Sequence, residues 1–205
     1  MPALRIIAIT GGIGSGKSVV SALLRTIGYC VYDCDERAKH VMTHDMQLRD
    51  ELCHLFGPET YDGPCLNKAY LASRIFGNDE MLRQMNACVH PAVARDIMRC
   101  YDTACAAMAG READHAGLFF YESAILYESG FDQLVVPDEV WTVSAPLELR
   151  ISRAMQRDGC TRDQVIRRID AQLPQHDKEQ RADRVIINDG QHAVIPQVRQ
   201  ILAEY

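Results

Sequence analysis

The sequence predicts an α/β fold in which helices cover both faces of a parallel sheet. The first observation is an apolar segment, residues 4–10, followed at once by a glycine-rich loop and then by apolar residues at helical spacing. The second is another short apolar segment, residues 29–33, which completes a strand–helix–strand unit. The third is that strand-like segments return only near residue 117, so a long helical stretch is inserted between the second and third strands.

The glycine-rich loop after the first strand matches a phosphate-binding motif. Residues 11–18 read Gly-Gly-Ile-Gly-Ser-Gly-Lys-Ser and fit G-x-x-x-x-G-K-[ST] at every fixed position. Glycines let the backbone approach phosphates, and N–H groups at a helix start surround the anion with donors. Lys17 has the reach for the β- and γ-phosphates, and the Ser18 hydroxyl is a ligand for Mg²⁺. The sequence therefore predicts a P-loop NTPase core of three layers, α/β/α, that binds a nucleoside triphosphate.

Two carboxylates follow the second predicted strand, which ends at Asp33-Cys34-Asp35. In open α/β sheets, ligands bind beyond the carboxyl ends of the strands, so we expect both carboxylates at the edge that carries the phosphate loop. A carboxylate there orients an acceptor hydroxyl and accepts its proton, or it caps the following helix. We favour the functional role for Asp33 and leave both roles open for Asp35.

Residues 36–110 have a helical pattern without convincing strands. Apolar residues recur three and four positions apart in segments 41–56, 68–76, 79–89 and 91–108. His90-Pro91 is predicted to separate two of these helices, with Pro91 at a first helical position. We interpret the region as an insertion that builds a substrate pocket, where His90 is a site candidate or a structural residue of the junction.

Strand character returns in residues 117–121, 139–143 and 184–187, and the last helix is predicted over 193–205. Thr161 with Gln164 predicts a capping box at the start of a helix. Glu122 follows a strand, where it either contacts water bound to Mg²⁺ or is an ordinary strand-end carboxylate.

Three arginines lie on one face of the helix predicted over residues 147–157. Arg150, Arg153 and Arg157 stand at i, i+3 and i+7. Arginine supplies bidentate donors that match the oxygens of a transferred phosphoryl group. A solvated basic helix face gives the same pattern, so spacing alone leaves both interpretations open.

Composition excludes several classes of protein. The formal net charge of −6 argues against bulk binding of nucleic acid. No apolar run approaches the roughly 20 residues that cross a bilayer, so we expect a cytoplasmic protein without membrane contact. The 8 cysteines include no C-x-x-C pair, which gives no support for a zinc site.

The motifs favour one kind of nucleotide-binding enzyme. A GTPase carries a guanine-reading Asn-Lys-x-Asp, but Asn67-Lys68 is followed by Ala69-Tyr70. A P-loop core with a helical insertion and an arginine-rich segment is typical of a nucleotide or small-metabolite kinase. A nucleotide-gated binding module is the alternative from a different class.

The sequence resembles the dephospho-CoA kinase family over nearly its whole length. Residues 9–18 are close to the family's form of the loop, and Asp33-Cys34-Asp35 matches its D-A-D motif. His90-Pro91 matches H-P, and Arg153 to Asp158 matches R-x-x-x-R-D. Residues 168–172 match R-I-x-x-Q, and residues 182–190 match A-D-x-V-I-x-N-x-G. Lys39 stands where the family often has arginine, which keeps the charge and loses the planar fork.

The resemblance implies ATP-dependent phosphorylation of the ribose 3′-hydroxyl of dephospho-CoA, with Mg²⁺. We expect a monomer or small homo-oligomer. The resemblance also implies a nucleotide-binding core (1–35, 116–145 and 183–205), an acceptor domain (36–115) and a lid (146–182). The implied catalytic residues are Lys17, Asp33, Arg153 and Arg157. The implied ATP-binding residues are Gly12, Ile13, Gly14, Ser15, Gly16, Lys17, Ser18, Val19, Asn188 and Gly190, with Ser18 on the metal. The implied acceptor-binding residues are Asp33, Asp35, Lys39 and His90.

Overall fold

A computed structural model describes residues 4–108 and 117–205 of the chain, which form both helices and strands. The strands are β1 (Arg5–Thr10), β2 (Cys30–Asp33), β3 (Tyr61–Asp62), β4 (Cys65–Leu66), β5 (Leu118–Glu122), β6 (Glu139–Ser144) and β7 (Arg184–Ile187). The helices are α1 (Lys17–Ile27), α2 (Cys34–His44), α3 (Met46–Phe56), α4 (Lys68–Ile75), α5 (Asp79–Met108), α6 (Phe131–Leu134), α7 (Leu147–Asp158), α8 (Arg162–Asp170), α9 (Gln175–Arg181) and α10 (Val194–Leu202).

Within these described ranges, five strands form one sheet in the order β2-β5-β1-β6-β7, and every neighbouring pair is parallel. β1 is the central strand, and its last four residues are buried. The sheet confirms the predicted α/β class. The strand that leads into the phosphate loop therefore lies in the middle of the sheet. A continuous apolar run is typical of such a buried parallel strand.

Helices cover both faces of this sheet. On one face, buried residues of β1 and β6 form the main core with Val20 and Leu24 of α1 and Val198 of α10. On the other face, Tyr101 of α5 packs edge-on against Phe119, with ring centroids 5.5 Å apart. The Thr142 hydroxyl donates to the Lys178 carbonyl on the same side, which places α9 there. Successive side chains of a strand point to opposite faces of the sheet, so each strand packs against helices on both sides. This arrangement gives the three predicted layers.

The chain divides into two compact units. The first contains residues 1–33 and 101–205, of which the described part holds the sheet, and the second contains Cys34–Cys100. Residues 146–182, the predicted lid, belong to the first unit in this division. None of the described helices combines the length and the apolar character needed to cross a membrane.

The second unit corrects the sequence expectations for where its helices and strands lie. The segment 41–56 is two helices, because Asp45 ends α2 and its side chain accepts from the Leu48 N–H to begin α3. Two strands of two residues each, β3 and β4, form a hairpin in a region expected to lack strands. Arg49 stabilises this hairpin by donating to the Gly63 and Pro64 carbonyls, a long-range contact that periodicity does not reveal.

The predicted helix break at His90-Pro91 is wrong, because α5 continues through Pro91. Proline in a helix interior loses one backbone hydrogen bond and costs about 3 kcal/mol relative to alanine. Val89, Val93 and Ile97 are buried at four-residue steps across this point. Burying each such side chain contributes about 1.5–3 kcal/mol, so packing outweighs the local preference of proline.

The capping box predicted at Thr161 is confirmed, since its side chain accepts from the Gln164 N–H and the Gln164 side chain accepts from the Thr161 N–H. We predict that Thr161→Ala lowers the free energy of unfolding by about 1 kcal/mol, because one N–H of the first turn of α8 loses its acceptor. Thermal unfolding measures this loss. Thr161→Ser is the control, because it keeps the hydroxyl, and equal melting temperatures for the two variants would contradict the assignment.

Candidate active site

The phosphate loop connects the buried end of β1 to the start of α1 at Lys17. Gly14 and Gly16 have φ angles of 77° and 98°, in the left-handed region that favours glycine. A Cβ at Gly14 would also lie 2.1 Å from the Arg150 carbonyl oxygen, and one at Gly16 would lie 2.0 Å from Asn188 Nδ2. Both the backbone conformation and the neighbouring atoms therefore require glycine at these positions.

The second half of the loop presents donors that fit an anion. Within residues 4–108 and 117–205, the N–H groups of Gly14, Gly16 and Ser18 have no protein acceptor. The Ser15 hydroxyl is buried and likewise lacks a partner in that part of the chain. A buried donor without an acceptor, such as the Ser15 hydroxyl, costs about 1–3 kcal/mol, and a phosphate at the start of a helix satisfies such donors. These groups fit the triphosphate that the motif predicts.

Lys17 lies close to the loop that it follows. Its side chain is 8% exposed, and Nζ donates to the Gly11 carbonyl at 3.0 Å. The ammonium group is therefore held beside the same backbone whose N–H groups face the predicted phosphates. This position agrees with the neutralising role that the motif implies for the lysine.

Two glutamines hold the first half of the loop. Gln175 Oε1 accepts from the Gly12 N–H at 2.9 Å, and Gln172 Oε1 accepts from the Ile13 N–H at 2.8 Å. Their amide nitrogens donate elsewhere, Gln172 to the Ala124 carbonyl and Gln175 to Glu179 and the Val143 carbonyl. Neither residue was among the predicted site residues. In the sequence, only the R-I-x-x-Q motif indicated a role for Gln172, and no motif indicated one for Gln175.

A buried ion pair supports the segment that carries these glutamines. Lys178 is fully buried, and its Nζ lies 2.6 Å from Glu128 Oε1 and donates to the Ala124 carbonyl. Glu128 also accepts from the Leu173 N–H at 2.8 Å. Burial lowers the pKa of the Lys178 ammonium group, and Glu128 acts in the opposite direction. The turn over residues 124–130 and the start of α9 are therefore joined by charge-assisted bonds.

The three arginines of α7 have different surroundings. Arg150 is 4% exposed and its Nε donates to the Ile13 carbonyl at 3.1 Å. Arg153 donates to the Asn188 carbonyl at 2.9 Å and to its side-chain oxygen at 3.3 Å. Arg157 is exposed and pairs with Asp158, which also binds Arg168. These two arginines hold the pKa of the Asp158 carboxyl well below its usual range.

Asn188 lies against the phosphate loop. Its side-chain Nδ2 donates to the Ser15 carbonyl at 2.8 Å, while its own N–H donates to the Ser144 carbonyl at the end of β6. Gly190, two residues later, has a φ of 84° in the turn that leads to α10. The placement of both residues near an adenine stays a prediction, whereas contact of Asn188 with the loop is an observed feature.

Two carboxylates lie side by side at the edge of the sheet where parallel strands end. Asp33 ends β2 and is in register with Glu122, which ends β5. Glu122 accepts from the Ser21 hydroxyl at 2.6 Å, so α1 holds it in place. β5 also pairs with β1, whose carboxyl end leads into the phosphate loop. Asp33 is half-buried at this edge, and its role toward an acceptor stays a prediction.

The remaining predicted acceptor residues belong to the second unit. Asp35 and Lys39 are exposed on α2, one turn apart and therefore on one side of that helix. Between them, Arg37 forms a bidentate pair with Asp96, which joins α2 to α5. His90 is half-buried on α5, and burial lowers the pKa of its imidazole. The neutral imidazole is thus favoured near pH 7.

The side chains predicted to hold Mg²⁺ offer oxygen ligands. In the described ranges, no group of three or more His, Cys, Asp or Glu side chains is suited to hold a metal ion. Mg²⁺ at phosphate sites takes one or two protein oxygens and completes its shell with phosphate and water. The exposed Ser18 hydroxyl at the start of α1 fits this requirement.

Comparisons with known proteins agree on one family. A family model described as Dephospho-CoA kinase matches residues 5–193. A dephospho-CoA kinase of Bacteroides fragilis is 43% identical over 197 residues, which cover 96% of this chain and 91% of that protein. A crystal structure from Thermus thermophilus is 37% identical with a TM-score of 0.81 and covers 99% of this chain and 98% of that chain. A dephospho-CoA kinase structure from Campylobacter jejuni, at 20% identity, TM-score 0.68 and coverage of 97% and 96%, shares the fold.

Gly14→Ala is expected to reduce affinity for ATP by about 100-fold, because the loop must move to relieve the clash with the Arg150 backbone. Gly77→Ala is the matched control, since Gly77 has a φ of 70° but nothing within 4 Å of an added Cβ. Strain alone costs about 1–2 kcal/mol in both variants. Calorimetric titration with ATP separates the two effects, and equal affinities in the two variants would show that the clash is unimportant.

Gln172→Met and Gln175→Met are each expected to lower kcat/KM for ATP about tenfold, because an N–H of the loop loses its acceptor. Gln180→Met is the control, since it makes the same chemical change at an exposed position of α9. Steady-state kinetics with varied ATP measures the effect. If both loop-facing variants match the control, the glutamines do not position the loop.

Proposed function

The chain belongs to the dephospho-CoA kinase family, and we propose that it transfers the terminal phosphoryl group of ATP to the ribose 3′-hydroxyl of dephospho-CoA. The family match carries this proposal, and the donor arrangement of the phosphate loop supports it. The products are CoA and ADP. The bond between the 3′-oxygen and the γ-phosphorus forms as the bond to the β,γ-bridging oxygen breaks.

The phosphate loop is proposed to bind ATP. The residues assigned to this role are Gly12, Ile13, Gly14, Ser15, Gly16, Lys17, Ser18, Val19, Asn188 and Gly190. N–H groups of the second half of the loop donate to the phosphates, and the ammonium of Lys17 neutralises their charge. Asn188 acts on the loop itself, because its side chain donates to the Ser15 carbonyl.

Mg²⁺ is the proposed companion of ATP, and when bound it screens the charge of the β- and γ-phosphates. Ser18 holds it through its hydroxyl. Glu122 accepts from Ser21 in the next turn of the same helix, and a contact with water bound to the ion is proposed for it. Removal of Mg²⁺ by a chelator is therefore expected to abolish turnover.

Asp33 is proposed to prepare the acceptor. Its carboxylate, beside Glu122 at the sheet edge, orients the 3′-hydroxyl and takes up its proton as the new bond forms. In a loose transition state for phosphoryl transfer, positioning of the nucleophile contributes more than proton removal does. Asp33→Asn keeps the size of the side chain and removes the proton acceptor.

The arginines of the proposed lid, residues 146–182, are assigned to the developing charge and to the exclusion of water. Arg153 is bound to Asn188, and Arg157 is paired with Asp158. Contact of either guanidinium with the nucleotide therefore requires these partners to be exchanged or shared. A surface ion pair contributes only about 0–1 kcal/mol, so the exchange is inexpensive for Arg157.

The acceptor is proposed to bind to the predicted acceptor domain, residues 36–115, of which 109–115 lie outside the described residues. The ranges 1–35, 116–145 and 183–205 are proposed as the nucleotide-binding core. Asp35, Lys39 and His90 are the proposed contacts. Lys39 supplies a positive charge for the phosphates of the acceptor, whereas the pKa of His90, lowered by burial, favours a neutral hydrogen-bonding role. We further propose a cytoplasmic monomer or small homo-oligomer that requires neither nucleic acid nor a membrane.

The direct test is release of ADP from ATP and Mg²⁺ in the presence of dephospho-CoA, AMP, adenosine or no acceptor. We expect strong stimulation by dephospho-CoA alone. Asp33→Asn is expected to lose about 10²- to 10⁴-fold in kcat while affinity for ATP is retained. Asp170→Asn, at an exposed position of α8, is the control.

Each other outcome of this test has a distinct meaning. Greater stimulation by AMP or adenosine would show another small-molecule kinase and refute the proposed acceptor. Binding of ATP without stimulation by any acceptor would favour a nucleotide-gated binding module. An unchanged kcat in Asp33→Asn would refute proton uptake by that carboxylate and leave the substrate assignment intact.

A further inference from the structure

Arg150 differs from the other two arginines of α7 in its contact with the phosphate loop. Its Nε donates to the Ile13 carbonyl, and a Cβ added at Gly12 would lie 2.0 Å from its Nη2. The guanidinium group therefore lies directly against the first half of the loop. Because Gly12 has no side chain, the guanidinium group of Arg150 has room at this position.

The charge of Arg150 is buried without a directly bonded carboxylate. The residue is 4% exposed, and in the described part of the chain no carboxylate oxygen lies within 4 Å of its nitrogens. Glu179 acts on it only from a distance, and burial lowers the pKa of the guanidinium group. Arginine remains charged at neutral pH even so. A buried cation without an anion is unfavourable, so this geometry is typical of a site that receives one.

The terminal nitrogens of Arg150 remain available for that anion. Among residues 4–108 and 117–205, Nε has the Ile13 carbonyl as acceptor, whereas Nη1 and Nη2 donate to no protein group. Neither nitrogen is fully enclosed by the protein, so both reach solvent-accessible space. By contrast, Arg153 and Arg157 use their terminal nitrogens on Asn188 and Asp158.

We propose that Arg150 is a further catalytic residue, whose terminal nitrogens donate to the γ-phosphate of bound ATP. This inference rests on the proposed function for the identity of the reaction. The loop N–H groups and Lys17 approach the phosphates from the side of α1, and Arg150 adds a planar donor from α7. Two parallel donors match two oxygens of the transferred group, where charge spreads in the transition state.

The variant Arg150→Gln separates this role from that of a structural brace. A glutamine amide keeps a donor for the Ile13 carbonyl, whereas the charge and the terminal fork are removed. Arg150→Met removes both functions, and Arg167→Gln at an exposed position of α8 is the control for loss of one lid arginine. Thermal unfolding establishes that each variant is folded before its kinetics are compared.

The readout is a comparison of two nucleotides. We expect Arg150→Gln to weaken binding of ATP about tenfold and to leave binding of ADP unchanged, because ADP lacks the γ-phosphate. The value of kcat with dephospho-CoA should fall about 10²- to 10³-fold, the usual effect of removing one donor to developing charge. Arg150→Met should weaken ATP binding further than Arg150→Gln does and should also weaken ADP binding, because the lost brace affects both nucleotides.

Two outcomes would overturn the proposal. One is an Arg150→Gln enzyme with the ATP affinity and kcat of the control. The other is an equal loss of affinity for ATP and ADP, which would identify a structural brace of the loop. The binding measurements need no acceptor, so a wild-type protein inactive on dephospho-CoA would refute the proposed function while the ATP and ADP affinities still decide the role of Arg150.

Discussion

The conformation of the phosphate loop is the constraint on which the site depends. Its N–H groups must point at an anion, but a glycine loop is the part of a chain with the greatest freedom to move. The contacts that hold it come from Gln172, Gln175, Arg150 and Asn188, all beyond residue 144. Each such contact contributes only about 0.5–1.5 kcal/mol, yet together they select one loop conformation.

Support for the loop extends one layer further, to groups that do not touch it. The Gln172 amide donates to the Ala124 carbonyl, which also accepts from Lys178, and Lys178 pairs with Glu128. Removal of either partner of a buried ion pair leaves an uncompensated charge and costs about 3–5 kcal/mol. The pair therefore ties the turn 124–130 to the segment that supplies both glutamines. In this way the turn after β5 and helix α9 influence the loop through residues distant in sequence.

Local patterns predicted the strands of the sheet and the loop, because each depends on residues close in sequence. The glycine motif, the apolar run of β1 and the capping box at Thr161 all operate within one helical turn or one strand. The contacts that decide how the loop is held join Gly12 and Ile13 to residues about 160 positions away. Glutamine has no periodic pattern that reveals such a partner. The helix break predicted at Pro91 was wrong for a related reason, because burial of the side chains around Pro91 outweighs the local preference of proline.

The arginines of α7 show the same limit within a single helix. Spacing places Arg150, Arg153 and Arg157 on one side, but α7 extends about 18 Å over its 12 residues, so each arginine meets a different surrounding. The first turn lies at the phosphate loop, the middle at the turn after β7, and the end at the carboxylate of Asp158. The sequence therefore predicts which residues share a face of the helix, whereas the partner of each side chain depends on the tertiary structure. The arginine that contacts the phosphate loop directly is the one that the family motif does not mark.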